Sequence, residues 1–172
     1  MNSAIITTIA NLALTLSFIV ALIFGIAQVR VAARDRRERV TLGTLSAFQT
    51  REFAELIYFI NNLKPLSGWV EMRSLPAEDQ VKFIQFSQQM ESLGLLVAER
   101  LINMDLVDKT LGSFVTTSWE KFKLMFYDAR ENIPDPFLGE YFQWLAECID
   151  ERMRKAPHAP YFMNKVPISH NR

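Results

Sequence analysis

The first thirty residues carry one unbroken apolar pattern. From Ala4 to Gln28, 25 residues follow one another without a charged side chain. A helix of that length reaches about 37 Å, which is enough to cross a hydrocarbon core of about 30 Å. A long buried helix of a soluble protein normally keeps a polar face, and this segment has none. The pattern predicts a transmembrane helix, and residues 1–29 are assigned as an N-terminal membrane anchor.

Positive charge follows this segment at once. The ten residues after Val29 contain five arginines: Arg30, Arg34, Arg36, Arg37 and Arg39. The positive-inside rule predicts a single-pass protein of the inner membrane, with its N-terminus outside and its C-terminal domain in the cytoplasm. The arginines are interpreted as a topology determinant, and the alternative is a patch that senses anionic lipid headgroups. A cleaved signal peptide is disfavoured because no Lys or Arg precedes the apolar run.

Beyond Arg39, apolar residues recur at three- and four-residue steps, as in an amphipathic helix. They are Leu42, Leu45, Phe48, Phe53, Leu56, Ile57, Ile60 and Leu63. Because no Gly or Pro lies between Gln28 and Thr41, the span is expected to continue into this helix without a linker. The helix should stop before Lys64-Pro65. Residues 30–41 are assigned as a basic juxtamembrane junction, and residues 42–154 as a cytoplasmic helical domain.

Two further helices are expected in the middle of the domain. After a turn segment over residues 65–74, Ser74 can cap a helix that ends near Asn103. Asp105 or Asp108 can cap the next helix. Gly112 weakens its first part, so either one helix or a short helix followed by a longer one is compatible with the pattern.

A break at residues 133–136, Ile-Pro-Asp-Pro, precedes a last helix from about Pro136 to Arg154. Residues 155–172 contain three prolines and no apolar period, which predicts an extended tail. Tyr161-Phe162-Met163 in that tail could dock on the domain or on a partner. No alternating β-branched run is present. The expected fold class is all-α, with one N-terminal transmembrane helix followed by a compact bundle of about four to five helices.

Composition narrows the classes of function. The formal net charge is zero, so the global electrostatic footprint of a nucleic-acid-binding protein is missing. Cys148 is the single cysteine, which excludes an internal disulfide and fits a reducing compartment. The 13 Phe, 4 Tyr and 3 Trp supply large side chains for one dense core.

Small residues recur at every fourth position of the apolar segment: Ala13, Ser17, Ala21 and Gly25. Such a ladder lies on one helix face and lets a second helix approach closely. Thr8, Asn11 and Thr15 form a polar stripe on another face, where an unpaired Asn11 would be costly in lipid. The pattern predicts helix–helix association, and the alternative is the ordinary abundance of small residues in transmembrane helices.

The chain carries no recognisable catalytic motif, and no cofactor or metal is expected. No nucleotide-binding glycine loop or nucleophile elbow is present. Cys148 lies on the apolar face of the last helix, and a nucleophilic thiol would need a base, but both histidines, His158 and His170, lie in the tail. The two histidines also lack the spacing of a zinc-binding motif. Asp105 and Asp108 lack the glycine and distal glutamate of a calcium loop. Four carboxylates on the last helix are interpreted as a solvated face: Glu140, Glu147, Asp150 and Glu151.

Residues 83–130 carry the most characteristic order of motifs. A Glu-x-x-Gly pair, Glu91 and Gly94, precedes an Asn-x-Asp-Leu-Val hinge at 103–107, a Leu-Gly-x-Phe at 111–114, Trp119 and Arg130. Over roughly residues 45–153 the chain resembles a family of uncharacterised bacterial proteins, often single-pass, known only as a domain of unknown function. The resemblance implies a helical domain behind an anchor and no established reaction, ligand or catalytic residue.

Arg130 comes near a predicted helix end. It is interpreted as a helix-end charge or as a salt bridge to Glu91 or Glu99. The alternative is a guanidinium that binds a ligand.

Three functions remain open. The leading hypothesis is a membrane-anchored interaction module, acting as an accessory, scaffold or regulatory subunit of a membrane-associated assembly. Its partners would be membrane lipid and a second copy or a membrane protein, without nucleic acid or metal. The polar stripe motivates an alternative, a self-associating membrane effector in stress or phage defence. The third hypothesis is an enzyme of unrecognised type that uses charged residues of the bundle.

Overall fold

The computed structural model describes residues 3–157, which form six helices and no strand. In chain order they are α1 (Ser3–Ala47), α2 (Arg51–Asn62), α3 (Trp69–Arg73), α4 (Ala77–Ala98), α5 (Met104–Asn132) and α6 (Glu140–Lys155). The predicted all-α class, an apolar N-terminal helix followed by a bundle, is confirmed. Most of the predicted tail, with His158, His170 and Tyr161-Phe162-Met163, lies outside the described residues.

Helix α1 runs without interruption for 45 residues. Every large hydrophobic side chain from Ile5 to Val31 is exposed, and the most apolar stretch has a mean hydropathy of 2.4 with none of it buried. Soluble proteins rarely expose so large a contiguous apolar surface. By length and composition, α1 could cross a membrane, and no other helix within residues 3–157 could.

The helix that contains the apolar segment does not reach Leu63, so that expectation was wrong. It ends at Ala47, and Thr50 begins α2 by accepting a hydrogen bond from the Phe53 N–H at 3.2 Å. Across the break, the Phe48 and Phe53 rings pack edge to face with centroids 4.8 Å apart. Because both rings face the core, the apolar periodicity of the sequence continues across the break between α1 and α2. The pattern therefore gives no sign of this break. The predicted stop before Lys64-Pro65 is confirmed, since α2 ends at Asn62.

Several predicted helix ends need correction. Residues 65–74 contain the short helix α3, and Ser74 ends it by donating a hydrogen bond to the Glu71 carbonyl. Pro76 occupies the cap position of α4, which ends at Ala98 and not near Asn103. Helix α5 is continuous through Gly112, and α6 begins at Glu140, after the break, because Pro136 still belongs to the connecting turn.

Long-range contacts give the directions of the helices. The α5 helix begins beside α1, where the Asn103 N–H donates to Thr41 Oγ1 at 3.2 Å. Farther along α5, Phe114 packs on Phe53 of α2, and the Lys121 ammonium reaches the Ile60 carbonyl near the end of α2. Helices α1, α2 and α5 therefore rise together away from the apolar segment.

Helices α4 and α6 run in the opposite direction. The short connection over residues 99–103 returns the end of α4 to the start of α5. Arg152, in the last turn of α6, pairs with Asp105 and Asp108 in the first turns of α5. The end of the domain beside Thr41, where α4 ends, α5 begins and α6 ends, is called the basal end below.

Aromatic rings form the centre of the domain. Phe142 of α6 is fully buried, and its ring lies 5.5 Å from Phe86, 5.2 Å from Trp119 and 5.8 Å from Phe126 between centroids. Phe83 and Phe122 extend the cluster at 5.2 Å. Edge-to-face contacts dominate, as aromatic quadrupoles prefer.

Candidate functional site

The small-residue ladder lies on open surface. Ala13, Ser17, Ala21 and Gly25 are all exposed, and a Cβ added at Gly25 would meet no atom within 4 Å. The rest of the described chain does not cover this face, so a second helix can reach it. Its role in helix–helix packing stays a prediction.

The polar stripe consists of three side chains with different surroundings. The Thr15 hydroxyl donates to the Asn11 carbonyl of its own helix at 2.8 Å, and Thr8 also has a partner. The Asn11 side chain forms no hydrogen bond within residues 3–157. Asn11 is therefore the residue of this stripe whose side chain has no hydrogen-bond partner in the described part of the chain.

The arginine cluster lies on the part of α1 between the apolar segment and the domain. Arg34 pairs with Glu38 at 2.9 Å, one helical turn away. Arg30, Arg36 and Arg39 are exposed and form no ion pair in the part of the chain that the structure describes; the Arg37 side chain lies outside that part. At least three guanidinium groups are therefore available to an anionic surface.

One small polar contact joins α1 to the domain. Among the side chains of α1 that the structure describes, Thr41, at 2 % exposed, and Leu45, at 7 %, are the buried ones. The Thr41 hydroxyl accepts the hydrogen bond from Asn103, whose own side chain caps α5 by accepting from the Asp105 N–H at 2.8 Å. The cap of α5 is thus Asn103, and the prediction of Asp105 or Asp108 was wrong.

The Glu-x-x-Gly pair docks α6 onto α4. Helix α6 has no side-chain cap of its own, because Gly139 precedes it. The Glu91 carboxylate replaces that cap, accepting hydrogen bonds from the Tyr141 N–H at 3.2 Å and the Phe142 N–H at 3.0 Å. Gly94 allows the two backbones to meet, since a Cβ there would lie 2.2 Å from the Tyr141 carbonyl oxygen. This motif explains helix packing and carries no visible chemistry.

Replacing Glu91 by Gln should lower the free energy of unfolding by about 1–2 kcal/mol. The amide has one acceptor oxygen and no charge to interact with the positive end of α6. Urea unfolding of the detergent-solubilised full chain, followed by tryptophan fluorescence, measures the change. Glu131→Gln, at an exposed carboxylate of α5, is the matched control and should stay within about 0.5 kcal/mol. Equal stability of the two variants would contradict the capping role.

Asp108 and Gly112 join α5 to α6. The Asp108 side chain is 3 % exposed, and its Oδ2 lies 3.4 Å from Arg152 Nε. A Cβ at Gly112 would lie 2.7 Å from Asp108 Oδ1 and 3.3 Å from Ile149. Asp108 and Gly112 therefore hold α5 against α6 near the basal end.

Arg130 holds the loop before α6. Its Nε donates to the Leu138 carbonyl at 2.8 Å, and one terminal nitrogen donates to Gln143 Oε1 at 2.7 Å. No ion pair joins it to Glu91 or Glu99 in the described chain, so the predicted salt bridge was wrong. The guanidinium also lies 5.8 Å from the centre of the Tyr127 ring. Through these contacts, Arg130 stabilises the turn that precedes α6 and so helps to orient α6 for packing on α4.

Sequence reasoning missed two side chains that cap helices from a distance. Asp128 accepts the Trp69 N–H of α3 at 2.6 Å. The Lys121 ammonium donates to the Ile60 and Asn61 carbonyls of α2, each at 2.9 Å, and burial lowers the pKa of this group. The available signals were indirect: α3 follows Gly68, which has no capping side chain, and α2 has no basic residue in its last turn.

Removing the Lys121 charge should destabilise the domain by about 1–2 kcal/mol, because a charge-assisted cap at the negative end of α2 is lost. Lys121→Met keeps the length of the side chain, and the same urea titration reports the change. Lys109→Met, at an exposed lysine in α5, should be nearly neutral. If both variants unfolded at the same urea concentration, the hydrogen bonds from Lys121 to the two carbonyl groups would make no net contribution to stability.

The described residues offer little reactive chemistry. Burial, aided by Glu151 and Glu147, raises the pKa of the Cys148 thiol and so disfavours the thiolate. Within residues 3–157, no three His, Cys, Asp or Glu side chains are placed to hold a metal ion. The carboxylates of α6 face solvent: Asp150 pairs with Arg154, and Glu151 with Lys155.

An apolar groove opens on the side of the domain away from the basal end. It has a volume of about 550 Å³ between α3, α4 and the turn before α6. Its lining combines apolar side chains of Trp69, Ile84, Ile133 and Leu138 with a polar edge that includes Gln88. The lining of this groove is largely apolar.

Comparison with known proteins identifies a family for most of the chain. A family model described as a domain of unknown function, DUF4760, covers residues 15–149. The matched region begins inside the apolar segment of α1 and ends in α6, so it is longer at its N-terminal end than the region of resemblance read from the motifs. The chain has no significant match among curated proteins or solved structures.

Proposed function

The chain belongs to the DUF4760 family, whose description assigns no activity, and from that premise we propose that it is a single-pass inner-membrane protein with a cytoplasmic interaction module. Its role is that of an accessory, scaffold or regulatory subunit of a membrane-associated assembly. The observation that carries the proposal is α1, one helix whose exposed apolar part continues into a packed helical domain.

The arginines support the orientation. Residues 30–39 contain five arginines and two carboxylates, an excess of three positive charges directly beyond the apolar segment. Arginine resists transfer across a bilayer, so this end remains on the cytoplasmic side. The domain follows α1 and lies on that same side.

Labelling of single cysteines tests this orientation. In a Cys148→Ser background, Phe137→Cys places a thiol at a side chain that is 65 % exposed in the domain. A membrane-impermeant maleimide should label it only after the cells are permeabilised. Ser3→Cys, at the other end of α1, should be labelled in intact cells. Labelling of position 137 from outside would refute the orientation, and extraction of the chain by alkaline carbonate would refute the anchor.

The exposed ladder and the Asn11 amide support association within the membrane. Both features leave close-packing surface and hydrogen-bonding capacity that the described chain does not use. We assign the ladder as the contact face for a second copy, because identical small-residue faces can pack on each other.

Disulfide crosslinking in native membranes tests the face. Ser17→Cys lies on the ladder, whereas Ile19→Cys lies about 200° around the helix at nearly the same depth. Both are made in the Cys148→Ser background. A crosslinked dimer with Ser17→Cys and none with Ile19→Cys is expected. Equal crosslinking at both positions, or none, would contradict association through this face.

The accessory role is tested separately. A pull-down of the tagged full chain from native membranes in mild detergent should recover a stoichiometric membrane protein or a homo-oligomer. Migration solely as a monomer with no associated protein would count against the role even if the anchor and orientation held.

A further inference from the structure

We propose that a cleft between α1 and the basal end of the domain binds the headgroup of a phospholipid that carries a primary ammonium, such as phosphatidylethanolamine. The inference rests on the proposed anchor and deepens it, because it names the lipid that this part of α1 contacts. Three observations carry it: the position of the cleft, the two opposite charges in its lining, and polar atoms there that have no partner in the described chain.

The cleft lies between two helices and has a volume of about 490 Å³. Its lining comes from α1 and from the start of α5: Arg34, Glu38, Thr41, Leu42, Asn103 and Leu106. Asn103 bonds to Thr41, which fixes the height of the basal end along α1. Arg34 and Glu38 lie about two turns and one turn closer to the apolar segment than Thr41. The cleft therefore extends from the basal end towards the membrane.

Arg34 lies close to the level of the lipid headgroups. It follows Gln28 by six residues, which cover about 9 Å of helix, and the headgroup layer extends about 5–7 Å beyond the hydrocarbon core. Side chains of an α-helix lean towards its N-terminus, and for α1 this is the direction of the bilayer. The guanidinium can therefore reach a lipid phosphate without movement of the domain.

The charged side chains of the cleft form a pair that leaves hydrogen-bonding capacity. Arg34 Nε donates to Glu38 Oε1 at 2.9 Å, and both side chains remain largely exposed. The terminal nitrogens of Arg34 and the second carboxylate oxygen of Glu38 have no other partner within residues 3–157. Asn103 uses its Oδ1 to cap α5, and its Nδ2 has no acceptor among these residues. The cleft thus offers donors for a phosphate and an acceptor for an ammonium.

This arrangement fits a zwitterion better than an anion. The charges of Arg34 and Glu38 cancel, so the cleft itself has no excess positive charge for an anionic headgroup. In an ethanolamine headgroup, the phosphate can accept hydrogen bonds from Arg34 and Asn103 while the ammonium donates to Glu38. A choline headgroup has the same charges but no N–H to donate, and a glycerol headgroup has no cation. The cleft should therefore prefer ethanolamine to choline and to glycerol.

Native mass spectrometry tests the preference. The full chain in mild detergent is incubated with equimolar phosphatidylethanolamine, phosphatidylcholine and phosphatidylglycerol that have the same acyl chains, and the retained lipids are identified by mass. We expect the retention of phosphatidylethanolamine to exceed that of each other lipid several-fold. The N,N-dimethylated form of the same lipid, which keeps a single N–H, should be retained less.

Two variants of α1 locate the preference. Glu38→Gln removes the charged acceptor and frees Arg34, so retention should shift from phosphatidylethanolamine to phosphatidylglycerol. Asp35→Asn is the matched control, because it removes the same charge from the same stretch of α1 at a residue that does not line the cleft. It should keep the preference of the parent chain. Both carboxylates are exposed, so the urea midpoints of the two variants should match that of the parent.

Three results would overturn the inference. Equal retention of the three lipids by the parent chain would remove the preference, and highest retention of phosphatidylglycerol would assign the contact to the arginines alone. An equal loss of preference in both variants would place it outside the cleft. Vesicle flotation separates this inference from the anchor: a chain that floats but retains the three lipids equally keeps the proposed function and loses the headgroup site.

Discussion

Replacing Phe142 by Ala is expected to lower the free energy of unfolding by about 3–5 kcal/mol. The side chain is fully buried, and its ring lies within 6 Å of three other aromatic rings, those of Phe86, Trp119 and Phe126. The substitution removes the large apolar surface that α6 contributes to α4 and α5, and it leaves a cavity that rigid rings fill poorly. Since small domains are stable by about 5–15 kcal/mol, the loss is a large share of the total.

The change can be followed by tryptophan fluorescence during urea unfolding of the full chain in detergent, because one of the three indoles, that of Trp119, contacts Phe142. Phe137→Ala removes the same atoms from a side chain that is 65 % exposed, and it should shift stability by less than about 0.5 kcal/mol. Equal losses in the two variants would show that Phe142 does not form the centre of the core.

The second large effect is expected at Gly94. Gly94→Ala would place a Cβ 2.2 Å from the Tyr141 carbonyl oxygen and 2.6 Å from its carbonyl carbon. Both atoms belong to the backbone, so α6 must shift as a unit, against the hydrogen bonds that Glu91 makes to its first turn. Overpacking costs about 1–3 kcal/mol or more, and alanine recovers about 1 kcal/mol of helix propensity. We expect a net loss of about 2 kcal/mol.

Gly43→Ala is the matched control, because this residue is also helical and an added Cβ meets nothing within 4 Å. Here the propensity gain of up to about 1 kcal/mol stands alone, so stability should rise. The two glycine variants should therefore differ in sign under the same urea titration. If both were stabilised, α4 and α6 would have to be farther apart than described.

The features predicted well from sequence are those set by local pattern. The apolar segment and the break at Pro134 need no information from distant residues. Helix α4 has apolar residues on two faces: Val81 and Ile84 are exposed, while Phe83 and Phe86 are buried. Which of these apolar residues are buried depends on the packing of α5 and α6 against one face of α4, and this packing cannot be derived from the pattern of α4 alone.

The features missed depend on residues far apart in the chain. Glu91 caps a helix 50 residues later, and Lys121 caps one 61 residues earlier. A single sequence gives no sign that these charges meet helix ends, since each also looks like an ordinary exposed residue. For the same reason, the Glu-x-x-Gly pair could be noticed as a motif but its packing role could not be derived.

The unbroken course of α1 sets a rotational phase between the apolar segment and the domain. Each residue of an α-helix turns by about 100° and rises 1.5 Å, and no flexible stretch between Gln28 and Thr41 absorbs that turn. One inserted residue in this interval would therefore swing the domain by more than a quarter of a revolution about the helix axis. Seven inserted residues would nearly restore its facing and lift it by about 10 Å. The number of residues in this interval therefore sets two quantities: the distance between the apolar segment and the domain, and the rotation of the domain about the axis of α1.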